Sequence, residues 1–492
     1  MEAKKNNFTI GKRQLPKIKN RLANSILQIA CCLLPISSYA QYTEIFDFPS
    51  SYSYCSIGPL ISDGTYFYGM TKTNGDTNTC HPGGCGTIFK VKSDGTEYAV
   101  LFNFDGINGR MPSGSLISIG NFLYGMTPKG GTHNNGVVFK IKQDGTSFSK
   151  LYDFTNTNGK EPVGSLIYDG TFLYGTTNYG STGMGTIFKI KPDGTGDTTL
   201  CAFQSPGING YYPDGDLIFD GTFLYGMASN GGSGPCSNGC GVIFRIKPDG
   251  TGDTVMLNFT GANGSFPQNN HLISMGAFFY GMTMDGGSNN YGTIFKIKRD
   301  GTGYSKLFDF DPSGGNGLNG SFPRASLVSD GTFLYGTTAL GGANGRGVLF
   351  KIKPDGTMFT KLIDFGLYPT YGYPSGPLLC DGNFIYGIST GTSGDGVPAI
   401  FKYALTTGIT ENTLETDFTI YPNPSNGIFT IEAKENNCFL IITNILGETI
   451  YQSEIANQKS SIDLSRQPKG IYSIRLMQNN KISGAEKRLI ID

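Results

Sequence analysis

The chain has no tryptophan, three histidines and no surplus of either charge. With 38 basic residues against 38 acidic ones, it lacks the basic surface that nucleic acid or an anionic membrane demands, so neither is expected as a partner. It also lacks a zincin His-Glu-x-x-His, a Walker loop, an EF-hand loop and a Gly-x-Ser-x-Gly elbow, so no metal, nucleotide or other cofactor is expected. The apolar stretch from Leu22 to Ile36 falls short of the ~20 residues that span a bilayer as a helix. What is abundant is glycine, 72 residues in 492, together with 12% aromatics: the composition of a turn-rich, neutral β protein.

Tyr-Gly stands seven times in one setting, at Tyr68, Tyr124, Tyr174, Tyr225, Tyr280, Tyr335 and Tyr386, at intervals of 50 to 56 residues. A period of this size marks a repeat architecture. In the second copy, Ser115–Ile119, Phe122–Thr127, Val137–Lys142 and Phe148–Phe154 read as four strands, A to D. Asp-Gly or Gly-Asn at the A–B turn and Asp-Gly-Thr at the C–D turn supply the positive φ that tight hairpins need. Eight residues before each Tyr is a leucine followed by an aliphatic residue, the mark of a strand buried on both faces. Four strands in each of seven units predict a seven-bladed, all-β propeller over 41–403.

The seventh copy ends after strand C, at Ala399–Tyr403, without its Asp-Gly-Thr turn and strand D. The missing strand is matched at the other end, where Thr43–Phe48 resembles Lys306–Phe310. An N-terminal strand completing the last blade closes the ring and removes its exposed edges. Strand parity then puts all tight turns on one face and all long, variable loops on the other, where binding usually resides.

Residues 1–40 read as an export signal: basic residues from Lys4 to Arg21, the apolar stretch, then Ser38-Tyr39-Ala40 as a cleavage site. Cleavage there leaves eight cysteines. In an exported chain Cys80 with Cys85, and Cys236 with Cys240, are expected to form local disulfides, while Cys55, Cys201, Cys380 and Cys438 have no assignable partner. The period stops after Tyr403. Residues 404–417 read as a linker, and 418–492 as a small Ig-like β-sandwich with alternating apolar residues between turns.

Two resemblances attach to these segments. Phe418-Thr-Ile-Tyr-Pro-Asn-Pro, Asn444-Ile-Leu-Gly-Glu, Pro468-Lys-Gly-Ile-Tyr and Lys487-Arg-Leu-Ile-Ile occur in the order seen in the type A sorting domain of the type IX secretion system of Bacteroidetes. That resemblance implies handling by the type IX machinery and a cell-surface or secreted location. Tyr174-Gly-Thr-Thr-Asn-Tyr-Gly and Gly185-Thr-Ile-Phe-Lys-Ile-Lys-Pro-Asp-Gly-Thr are similar to the Gloeobacter/Verrucomicrobia-type (GloVer) tandem repeat, which implies a propeller-like surface protein and brings no catalytic residues with it.

Where the repeats depart from one another, chemistry is to be sought. At the start of strand A most copies carry small residues, but copies four to six carry Asp214, Asp216, His271 and Arg324. A carboxylate and an imidazole from adjacent blades have the chemistry for proton transfer, or for holding a cation or sugar hydroxyl. They also suit a plain wet channel in which Asp216 and His271 pair. Tyr212 and other aromatics of the loops (Tyr179, Tyr211, Phe266, Tyr291, Phe322, Tyr368, Tyr371 and Tyr373) offer stacking surface for glycans or polar protein partners. The leading expectation is a surface recognition protein for a glycan or protein ligand. The alternatives are a polysaccharide lyase or hydrolase at the channel mouth, and a structural or adhesive surface protein.

Overall fold

The computed structural model describes residues 41–49, 57–75, 80, 83–205, 207, 209–268, 270–311, 318–366, 373–390, 397–405, 418–433, 438–444, 449–455, 457–478 and 481–491. The expected export signal, Cys55, Tyr368, Tyr371 and the linker from 406 to 417 lie outside these. The chain divides into two compact units, 1–405 and 406–492. Every element assigned among the described residues is a β-strand.

The first unit contains seven four-stranded antiparallel sheets. Six take their strands in chain order, as in the second sheet: Ile117–Ile119, Phe122–Thr127, Val137–Lys142 and Ser149–Asp153. The seventh takes Tyr373–Cys380, Phe384–Thr390 and Pro398–Ala404 from the end of the unit and its outer strand, Tyr42–Asp47, from the beginning. There Tyr42 pairs with Tyr403 and Asp47 with Ala399, so the displaced strand fills the gap that the truncated last repeat leaves. Each sheet shares a buried apolar cluster with the next. The first and last sheets share one too, in which Phe67 and Phe89 pack with Tyr386, Ile388 and Ile400.

The repeated residues have mutually dependent roles. The Gly after each Tyr lies under the Phe of the neighbouring strand. A Cβ on Gly226 would stand 2.6 Å from Phe244 Cζ, and the other six glycines meet their Phe at 2.5 to 2.7 Å. A side chain there would collide with a ring that is itself fully packed. The Tyr hydroxyl donates to the turn aspartate where one is present: Tyr68 to Asp63, Tyr174 to Asp169, Tyr225 to Asp220, Tyr335 to Asp330 and Tyr386 to Asp381, at 2.7 to 2.9 Å. The same carboxylates accept backbone N–H groups of the turn, as Asp220 does from Thr222 and Phe223. The basic residue after each strand C Phe lies over the aromatic two positions before the Tyr. All seven sheets have this cation–π contact, from Lys90 over Tyr66 to Lys402 over Phe384, at 4.7 to 5.5 Å.

The second unit has a three-stranded sheet (Phe418–Tyr421, Ile428–Ala433, Lys459–Asp463) and a four-stranded one (Cys438–Thr443, Thr449–Ile455, Gly470–Gln478, Lys481–Ile491). Phe418, Phe429, Ile431 and Ile462 of the first share one core with Leu440, Ile442, Ile474 and Leu489 of the second.

Candidate functional site

The segments that lead into the innermost strands of all seven sheets border one cavity of about 370 Å³. Glycine and proline make up part of its wall, with Ile57, Val163, Ser113 and Ser165 among the uncharged side chains. The charged exceptions are Asp214, Asp216, His271, Arg324 and Lys72. Four of these were expected here from the departures in copies four to six. Lys72 was missed because it follows the Tyr-Gly strand, whereas the departures lie before it. Its signal was modest: a charged residue directly after the buried Thr71 that ends the strand.

Inner strands come close enough to hydrogen-bond through their leading residues. Ser115 N donates to Ser165 Oγ at 2.9 Å, and Ser165 N donates to Asp216 Oδ1 at 2.6 Å. Asp216 Oδ2 stands 3.2 Å from His271 Nδ1, and His271 N donates to Ser326 Oγ at 2.8 Å. A polar belt therefore joins sheets two to six, and Asp216 occupies in sheet four the position that serines hold in sheets two, three and six. The first and seventh sheets carry Pro59 and Pro377 at this position, which have no N–H to give. With Nδ1 beside Asp216, His271 Nε2 has no protein partner among the described residues. Asp214 is turned inward, accepting from the Ser229 hydroxyl, and burial pushes its carboxyl up to about 6 against that bond. Arg324 is exposed. Neither it nor Lys72 has a carboxylate within 4.0 Å among the described residues. Arg324 acts on Asp285, whose carboxyl is raised by burial and lowered in part by that guanidinium.

Tyr212 does not line the cavity; it is half-buried against the core shared by sheets three and four, edge-on to Tyr179 at 5.8 Å and to Tyr211 at 5.2 Å. Tyr211 is a core residue whose hydroxyl donates to Asn238 O at 2.9 Å. Tyr291 packs on the core between sheets five and six and edge-on to Phe322, and Tyr373 is exposed under Arg346.

One regularity was not read from the sequence. Met111, Glu161, Tyr212, Phe266 and Phe322 precede a proline in successive repeats, and all five have φ between 49° and 59°. A residue before proline ordinarily stays extended, and a side chain at positive φ is strained. What holds the conformation is a hydrogen bond from each N–H to a carbonyl of the preceding repeat: Cys85, Asn135, Met184, Cys240 and Tyr291, at 2.7 to 3.1 Å. Two of those acceptors are disulfide cysteines. Cys80 is bonded to Cys85 and Cys236 to Cys240, with Cα atoms 5.2 and 5.1 Å apart, as expected from their spacing. Cys201 and Cys380 are free thiols. Among the described residues there is no His, Cys, Asp and Glu cluster able to hold a metal, and no helix long and apolar enough to cross a membrane.

Seven repeated four-stranded units, a cavity at their common border and a separate two-sheet unit define an all-β repeat protein with a C-terminal module. Residues 35–236 and 220–439 match the Gloeobacter/Verrucomicrobia repeat, and the chain belongs to that family. Residues 419–492 match the secretion system C-terminal sorting domain, so the protein is a type IX substrate, secreted or held at the outer cell surface. Among curated proteins, none matches the chain. Solved structures with similarity include PorZ, a surface component of the type IX secretion system of Porphyromonas gingivalis. It is 14% identical with a TM-score of 0.45, over 88% of this chain and 59% of that one. Another is the β-propeller domain of the Trilobed protease from Pyrococcus furiosus, 11% identical with a TM-score of 0.46, over 71% of this chain and 95% of that one. The chain thus spans about three fifths of PorZ, and likenesses at these scores carry no functional inference.

Proposed function

We propose that residues 41–403 form a closed seven-bladed propeller whose long-loop end recognises a glycan or protein ligand at the cell surface. In this reading residues 1–40 direct export, 404–417 link the units, and an Ig-like domain at 418–492 hands the chain to the type IX machinery. Closure is supported by the apolar cluster shared between the first and last sheets and by the N-terminal strand completing the seventh.

The observation that carries the recognition reading is the cavity bordered by all seven sheets, where the repeat is broken by charged side chains from sheets four to six. A concave pocket on which a few polar groups converge is the first place to expect a ligand. Asp214, Asp216, His271 and Arg324 would contact the ligand, with Tyr212 in the segment that precedes Asp214. The test is a screen of the full chain against glycan and protein arrays. Saturable binding that Arg324→Ala and His271→Ala weaken supports the reading; binding that neither change alters would move the site away from the cavity.

One observation favours a second reading. Asp216 faces Nδ1 of His271 and leaves Nε2 without a protein partner, the arrangement of an oriented general base. A lyase or hydrolase would release fragments from a bound polysaccharide and lose turnover in His271→Ala. Binding without product would leave the dyad to its part in the polar belt.

A further inference from the structure

The charges around the cavity are not interchangeable. Asp216 is used twice, by Ser165 N on one oxygen and by His271 on the other. Asp214 is half-buried and accepts from the Ser229 hydroxyl. Both carboxylates are therefore already engaged by the fold, with part of their acceptor capacity left over. The cations stand differently: Lys72 of the first sheet and Arg324 of the sixth reach the cavity with no carboxylate partner within 4.0 Å among the described residues. Between their two sheets lies the seventh, which contributes Gly376 and Pro377 to the wall and so leaves room. One side of the cavity is cationic and open, and the other presents oxygen acceptors already fixed in place.

The segments that precede these wall residues in the chain add a second feature. Tyr212, Phe266 and Phe322 are held at positive φ in the three sheets that also supply Asp214, His271 and Arg324. Glycine would occupy that conformation without strain. Sheets two and three keep Met111 and Glu161 there, beside serine and valine in the wall. Strain retained with an aromatic side chain, in the sheets that supply the charged groups, is a reason to assign those rings a contact. Phe266 and Phe322 are half-buried and belong to none of the buried core clusters.

We infer that the ligand is an acidic glycan, a sugar bearing a ring carboxylate, with the carboxylate on Arg324 and Lys72 and a ring face on Phe266 or Phe322. This rests on the recognition reading above and narrows it. The planar fork of arginine matches a carboxylate in two-point contact, aromatic faces suit the C–H side of a sugar, and Ser165 and Asp216 lie where ring hydroxyls would reach.

The test uses the full chain and two probes on one sugar backbone, trigalacturonic acid and its uncharged methyl ester, followed by titration calorimetry at neutral pH. The acid is expected to bind saturably, about tenfold or more tightly than the ester, and to weaken as salt is raised. Arg324→Ala should remove that preference and Arg324→Lys should restore part of it, with unchanged thermal unfolding in both. Phe322→Ala should weaken acid and ester alike, which a purely electrostatic site would not do. Equal affinity for acid and ester overturns the anionic assignment while leaving recognition at the cavity in place. Acid binding indifferent to Arg324→Ala and Lys72→Ala overturns the assignment of residues. Absence of binding by either probe overturns the acidic-glycan inference alone, since the broader screen judges recognition separately.

Discussion

At the tight-turn end of the seven sheets the same contacts recur from sheet to sheet, whereas at the long-loop end the equivalent positions change from one sheet to the next. The recurring set is a glycine under a phenylalanine ring, a basic residue over an aromatic, and in five sheets a phenol on the turn carboxylate. Each serves packing within one sheet or between two, so every copy needs it. At the other end a single cavity is shared by all seven copies, and a group contributed once is enough. Departure from the period is thus informative only where the copies converge. The polar belt limits even that rule, since Asp216 departs in identity yet keeps the link that Ser165 and Ser326 make.

The comparison breaks most forcefully at the glycine. In Gly226→Ala the new Cβ meets Phe244 Cζ at 2.6 Å and Leu217 Cδ2 at 2.9 Å, both in cores with no slack. We expect a loss of about 3 kcal/mol in urea unfolding, partly relieved when Phe244→Leu is added. An unchanged unfolding midpoint would mean that the Phe ring does not dictate this glycine.

Much of this was legible in the sequence because it is local and repeated. The period, the turn chemistry and the displaced outer strand all follow from residues at matching positions of the repeats. The cation–π set was equally available, since an aromatic precedes every Tyr by two and a base follows every strand C Phe, but its meaning depends on cross-strand register. In sheet four, for example, Tyr225 lies opposite Arg245, which sets that base beside Phe223. The belt was less accessible: which inner residue meets which depends on how one sheet is turned against the next. Positive φ before proline ran against the local rule, because carbonyls of the preceding repeat override it. Of the cavity's charged groups, Lys72 alone lay outside the segment where departures were sought.

Asp214 sharpens the comparison at the loop end, where a side chain serves the cavity at a cost to the fold. Its carboxyl titrates near the ordinary 3.8 when unfolded and at about 6 when folded, raised by burial. Below pH 3.8 both states are protonated and the residue costs nothing. As pH rises towards 6 the unfolded state releases its proton first, so stability falls, and the full cost is present above that. Asp214→Asn, which keeps an acceptor for Ser229, should therefore stabilise the first unit on the order of 2 kcal/mol at pH 7.5 and little at pH 4. Equal melting shifts at both pH values would show that burial does not raise this carboxyl in the fold.

The smallest effect gives the cleanest contrast, because the molecule contains its own control. Tyr225 donates to Asp220 at 2.7 Å, but the second sheet has Gly120-Asn121 in place of Asp-Gly, and the Tyr124 hydroxyl has no hydrogen-bond partner among the described residues. Both rings are buried in equivalent inter-sheet cores, so removing the oxygen changes packing equally little in each. Tyr225→Phe should cost about 1 kcal/mol and Tyr124→Phe close to nothing. Burial works against ionisation of Asp220, yet the Phe223 N–H and the phenol together hold its carboxyl below the usual range. The carboxylate is thus the acceptor above that range, and the difference between the two variants should shrink as acid protonates it. If both variants lose the same stability at neutral pH, the turn carboxylate is held by the backbone alone, and the tyrosine of the repeat is kept for its ring.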